Sequence, residues 1–191
     1  MKKRSRSTPK KRRAVSQAAS GGNVQVVISE TQIRRRVREM TKQINRDYQG
    51  KTLHVVGILE DCFLFMADLV RALTIPVVCY FVRSQVRDSD SGLVAMREIM
   101  YIPPVDAAGK DILLVNTILE SGVTLDHLCR TLLAQKPASL RTATLLDKAE
   151  ERKVDVPIEY LGFKVSGRFL VGYGLGYQGQ YRNLPYLARI E

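Results

Sequence analysis

DILLVNTILESGVTLDHL, residues 111–128, carries the strand, turn and helix on which the reading of this chain depends. Asp111 to Val115 is almost wholly apolar, as expected of a strand covered on both faces of a parallel sheet. At the other end Leu125 and Leu128 recur at helical spacing, continued by Leu132 and Leu133. Between them lie Asn116, Thr117, Glu120, Ser121, Gly122 and Thr124. A turn with Ser, Gly and Thr at a helix N-terminus offers backbone N–H groups and hydroxyls to an anion, so this segment is a candidate phosphate cradle. Spacing alone does not separate such a cradle from an ordinary helix cap.

Working outward, three more apolar runs read as buried strands: Leu53–Leu59, Pro76–Val82 and Leu140–Leu146. Val24–Ile28 reads as an edge strand. Ser29 and Gln32 have capping-box spacing, and Ile33, Val37, Met40 and Ile44 then mark one face of a helix that Gly50 closes. Its other face is basic, with Arg34, Arg35, Arg38, Lys42 and Arg46. A helix over Phe63–Leu73 is expected to turn Phe63, Met66, Ala67, Val70 and Leu73 inward. Residues 84–92 read as a polar loop, Ala95–Ile102 as a strand, and Tyr160–Val165 and Phe169–Val171 as short late strands. Buried strands alternating with helices imply an α/β domain with a mainly parallel sheet. Ligands in such sheets sit beyond the carboxyl ends of the strands, which directs attention to the segments after Leu59, Val82, Val115 and Leu146.

Composition narrows the class. The chain has 191 residues, 45% of them hydrophobic, which suits one ordinary domain and excludes a disordered or disulfide-stapled chain. The net charge of +11 is concentrated: residues 1–13 hold eight bases and no acid, leaving 22 bases and 19 acids, a net of +3, over residues 14–191. Residues 1–22 therefore read as a disordered basic tail and 23–191 as the folded domain. The tail is expected to be a solvated extension; the alternative is phosphate contact with a nucleic acid or an anionic surface. No apolar stretch approaches the roughly 18 residues of a membrane span, and no secretory signal precedes the domain. Cys62, Cys79 and Cys129 read as isolated buried thiols of a cytoplasmic protein, with no metal site. His54 reads as a satisfied core histidine, and His127 has no visible partner.

The segments ISETQIRRRVREM (28–40), FLFMADLVRAL (63–73), ESGVTL (120–125) and FLVGYGLGYQGQYRNLPY (169–186) together resemble the type I phosphoribosyltransferases, in their hypoxanthine-guanine branch, from about Val27 to Ile190. The resemblance implies a core parallel sheet flanked by helices, with a small hood over the base. It implies a homodimer or homotetramer, and a reaction in which a purine nitrogen displaces pyrophosphate from C1 of phosphoribosyl pyrophosphate, with magnesium on the pyrophosphate.

Carried over position by position, the resemblance assigns Ser121, Gly122 and Thr124 to the 5′-phosphate. Glu120 takes the place of the family's Asp as base for the purine N7 proton. Lys148, Phe169 and Leu170 go to the purine, and Arg182 to the pyrophosphate side. Other positions depart from the pattern. Asn116 and Thr117 replace the two acids on the ribose hydroxyls. Glu60 and Asp61 replace a Lys-Gly-type pair on the pyrophosphate loop. Gly176 replaces a magnesium-binding Asp, and Gln85 follows Ser84 where the lid has Ser-Tyr. Two unit charges about 4 Å apart repel by about 4 kcal/mol at an effective dielectric of 20, so Glu60 and Asp61 are expected to disfavour an anionic leaving group. The lost glycine is also expected to disturb that loop's backbone. Glu60, Asp61 and Glu120 converging on a metal is the less favoured alternative to separate solvated acids.

The departures fall on the ribose, magnesium and pyrophosphate side, while the purine side is intact. The expected function is therefore binding of a purine base or nucleotide (IMP or GMP) with weak or lost transfer. One alternative is an active salvage enzyme using magnesium, and another is a nucleotide-responsive RNA-binding regulator.

Overall fold

The computed structural model describes residues 24–87, 96–102, 105–167 and 169–190. Its centre is a six-stranded sheet. Five strands run parallel: β2 (Leu53–Leu59), β3 (Val77–Arg87), β5 (Asp111–Leu119), β6 (Ser139–Asp147) and β7 (Tyr160–Lys164). β4 (Met96–Ile102) pairs antiparallel with β3 at one edge, giving the order β4-β3-β2-β5-β6-β7. A second, three-stranded antiparallel sheet joins β1 (Val24–Ile28), β9 (Leu187–Ile190) and β8 (Leu170–Val171), and forms the hood.

Helix α1 (Glu30–Asp47) begins as expected: the Ser29 hydroxyl accepts from the Gln32 amide, and the Gln32 side chain accepts from the Ser29 amide at 2.9 Å. Ile33, Val37, Met40 and Ile44 are buried. α1 and α2 (Phe63–Ala72) share one core with Val55, Leu113, Val115 and Leu145. α3 (Val123–Leu133) packs with Val56, Ile112 and Leu114 in the other. Alternate β5 residues therefore enter cores on opposite faces, which is why Ile112–Val115 are all apolar and buried.

The tertiary structure corrects several expectations. In α2 the buried residues are Phe65, Met66 and Leu69, while Phe63 is 41% exposed and Ala67 is exposed. That helix is apolar nearly all round, so the sheet, not periodicity, selects the inward face. Leu133 of α3 is exposed, and Cys79 is exposed where a buried thiol was expected. β3 runs on through Arg87 into the predicted loop because β4 pairs with it from Phe81 to Arg87. β9 gave no sequence expectation; it pairs with β1 as well as β8. The basic tail and part of the predicted 84–92 loop lie outside the described residues.

Candidate functional site

Strand order reverses at β2, whose neighbours β3 and β5 follow it on opposite sides, and a ligand crevice is expected at the carboxyl ends there. A cavity of about 340 Å³ lies at that point, lined by Ile58, Asp61, Asn116, Ile118 and the loop Glu120–Gly122 with Thr124. A smaller one of about 110 Å³ shares Asp61, Ile118 and Glu120 and adds Phe169, Leu170 and Gly176. The two are compartments of one crevice between the main sheet and the hood.

The loop at the larger compartment is shaped by Gly122, the N-cap of α3, which has φ +82°. A Cβ there would lie 2.4 Å from the Val154 carbonyl oxygen. Only glycine combines that conformation with that approach. The Ser121 carbonyl accepts from the amides of Lys153 (2.9 Å) and Val154 (3.0 Å). The Arg152 guanidinium donates to the Glu120 carbonyl at 3.2 Å and pairs with Asp147. The segment behind the loop thus holds two successive carbonyls of it. The result is a fixed helix N-terminus with Ser121 and Thr124 facing a cavity, suited to a phosphate.

Lys148 follows β6 and is 4% exposed, not solvated. Its ammonium meets Glu120 at 2.7 Å and Glu151 at 3.2 Å. Burial depresses its pKa, and the two carboxylates more than offset this, leaving it above the ordinary lysine value. Glu120 is therefore the acceptor of a charged hydrogen bond and also a wall of both compartments. Phe169 is 56% exposed and lies edge-on to Tyr177, with centroids 5.4 Å apart. A core role for Phe169 is excluded, and its ring is free to cover a flat ligand. Leu170 is buried in β8.

At the end of β2 the Leu59–Glu60 peptide is cis. Glu60 and Asp61 do not stand as bare negative charges. Arg182, from the hood, pairs with Asp61, donates to the Gly174 carbonyl at 2.6 Å and approaches Glu60 at 3.4 Å. Arg83 meets the other oxygen of Glu60 at 3.0 Å. Thr117 departs from its expected place beside a ribose: it is fully buried, and its hydroxyl donates to the Asp61 carbonyl at 2.9 Å. Because β5 extends to Leu119, strand alternation turns residue 117 inward and leaves 116 and 118 on the cavity. Asn116 lines the cavity, with its amide donating to the Ile118 carbonyl at 2.7 Å.

These residues do not fit a magnesium ion held by the protein. Glu60 and Asp61 are taken by arginines and Glu120 by Lys148. A Cβ at position 176 would lie 2.8 Å from Arg182 Nε, so a carboxylate there would require the arginine to leave its present position. Among the described residues no group of three or more His, Cys, Asp and Glu could hold a metal. Arg83, Arg152, Asp147 and Tyr177 were missed by sequence reasoning; Arg152, one turn beyond Lys148 in an acidic-basic run, was the visible signal among them. His54 is half-buried with a ring nitrogen 3.3 Å from the Tyr80 hydroxyl, and His127 is exposed. Arg36 of α1 turns inward onto the Leu161 and Gly162 carbonyls, apart from the exposed Arg34 and Arg35.

Comparison with known proteins places this geometry. The phosphoribosyl transferase domain family matches residues 28–178. The hypoxanthine-guanine phosphoribosyltransferase of Dictyostelium discoideum is 39% identical over 171 residues, covering 87% of this chain and 95% of that protein. The crystal structure of a hypoxanthine-guanine phosphoribosyltransferase from Bacillus anthracis is 37% identical and superposes with a TM-score of 0.77, over 88% of this chain and 99% of that one. A Trypanosoma cruzi hypoxanthine phosphoribosyl transferase, studied for the effect of its C-terminal region on oligomeric state and activity, gives a TM-score of 0.81 at 28% identity, over 92% of this chain and 94% of that one.

Proposed function

This chain belongs to the phosphoribosyltransferase family, in its hypoxanthine-guanine branch, and from that premise we propose that it binds a purine nucleoside monophosphate of the IMP or GMP type while transferring phosphoribosyl groups weakly or not at all. The observation that carries this reading is the commitment of Arg182 to Asp61 and Glu60, which leaves the pyrophosphate side filled by the protein's own charges.

The parts act as follows. Ser121, Gly122 and Thr124 hold the 5′-phosphate at the start of α3. Asn116 reaches the ribose with a neutral side chain, and Thr117 does not reach it. Phe169 stacks on the base, Leu170 presents its backbone at the base edge, and Lys148 supplies a donor to the 6-oxo group. Glu120 stands beside Lys148 where a base for N7 is needed. A neutral ribose contact and an absent magnesium ligand do little for a developing oxocarbenium charge, so binding outlasts turnover. Any magnesium would arrive on phosphoribosyl pyrophosphate and not on a protein seat.

Residues 23–191 make one domain in this reading, and the protein works as a homo-oligomer in the cytoplasm. Among the described residues no helix is long and apolar enough to cross a membrane. Isothermal titration with GMP and IMP, beside an assay of nucleotide formation from hypoxanthine or guanine, tests the proposal. Saturable binding with little product is expected. Turnover matching an active relative assayed alongside, or absence of nucleotide binding, overturns it.

A further inference from the structure

We infer that Asp61 and Glu60 act as an internal stand-in for a second anionic group, so that the crevice accepts one phosphate at the Ser121–Thr124 loop and rejects a diphosphate reaching the end of β2. The inference deepens the nucleotide-binding reading above and rests on it. Three observations meet here. Arg182 Nη1 is shared between Asp61 and the Gly174 carbonyl, and its Nη2 faces Glu60. Glu60 uses its second oxygen on Arg83, so among the described residues these two guanidinium groups already hold carboxylates. Gly176 is the residue that permits the arrangement, because any Cβ there would press on Arg182 Nε and Cγ at 2.8 and 2.9 Å.

An incoming diphosphate must displace carboxylates that are tethered to the same chain and therefore compete at high effective concentration. Once displaced, those two negative charges face the ligand across a short distance. A monophosphate docked at the start of α3 needs neither arginine. Asp61 is also pinned from behind by Thr117, whose hydroxyl holds its carbonyl.

Inorganic pyrophosphate is the probe, titrated by calorimetry into the full chain. The variants are the near-isosteric E60Q/D61N, the triple variant E60Q/D61N/R182Q, and E30Q/E39Q as a control with the same charge change on α1. Wild type is expected to bind pyrophosphate weakly. E60Q/D61N gains about tenfold or more, the order set by freeing a charged hydrogen-bond donor. The triple variant loses that gain, and E30Q/E39Q shows none. If E60Q/D61N does not fold, D61N, which leaves the Glu60–Arg83 pair, carries the test with a gain of about threefold or more. Equal pyrophosphate binding by wild type and the glutamine–asparagine variant, or an equal gain in the α1 control, overturns the inference. GMP titration of wild type reports separately: its failure removes the nucleotide reading, whatever the pyrophosphate result.

Discussion

Replacing Gly122 by alanine separates the shape of the phosphate loop from ordinary glycine strain. Gly122 (φ +82°) and Gly109 (φ +65°) both occupy the left-handed region. An alanine at either costs about 1–2 kcal/mol in backbone strain. They differ in surroundings. Nothing lies within 4 Å of a Cβ at Gly109, whereas at Gly122 the Val154 carbonyl oxygen lies at 2.4 Å. An ordinary carbon–oxygen contact is about 3.3 Å or more, so roughly 1 Å must be recovered. The neighbour is backbone, and it belongs to a segment whose amides hold the Ser121 carbonyl. Relief therefore moves the loop itself. Overpacking of this kind adds about 1–3 kcal/mol, for a total near 2–5 kcal/mol against about 1–2 for Gly109→Ala. Urea unfolding of both variants gives the difference directly. GMP titration should show a loss of about tenfold or more for Gly122→Ala and none for Gly109→Ala, a tenfold change being about 1.4 kcal/mol. Equal destabilisation by the two substitutions, with GMP binding retained in Gly122→Ala, would refute the argument that close approach at residue 122 shapes the cradle.

Phe169→Ala should weaken GMP binding by about 1–3 kcal/mol, the worth of a base–aromatic contact, while changing the urea midpoint little, since the ring is more than half exposed; a large stability loss would mean the ring is structural. Arg36→Ala should cost about 2–3 kcal/mol, because its guanidinium ties α1 to the Leu161 and Gly162 carbonyls, and Arg35→Ala less than about 0.5 kcal/mol; similar values for both in thermal unfolding would contradict this. Thiol labelling of the native protein at pH 8 should modify Cys79 first and Cys62 last. Burial and the neighbouring Asp61 push Cys62 up to about 12, leaving a thiolate fraction of about one in 10⁴, and burial pushes Cys129 up to about 11. The sign for stability follows: above about pH 9 these cysteines ionise in the unfolded chain but stay protonated in the native one, so stability falls as pH rises. Cys62 reacting at the rate of Cys79 would show that its burial is not maintained in solution.

Much of the architecture is legible in residue order because it depends on local chemistry. Ser29 and Gln32 cap α1 through contacts three residues apart, and the dense apolar runs of β2 and of Ile112–Val115 in β5 call for a covered position in a sheet. The Ser-Gly turn before α3 announces a helix start with a left-handed residue. The inward face of α2 was not legible, because a helix apolar all round offers several equivalent stripes. Nor was β9, whose four residues acquire their role only from pairing with β1 and β8.

The site divides along the same line. From sequence alone came which side chains are present: the Ser121–Thr124 turn, Lys148, Phe169, and acids at 60 and 61 where a basic-glycine pair was expected. What those side chains hold was decided by tertiary packing. Thr117 turns inward because β5 continues two residues beyond it; Lys148 is buried against Glu120, 28 residues away; Arg182 crosses 121 residues of chain to neutralise Asp61. Charge balance inside a crevice depends on distances between residues remote in sequence, and those distances exist only once the hood closes over the sheet.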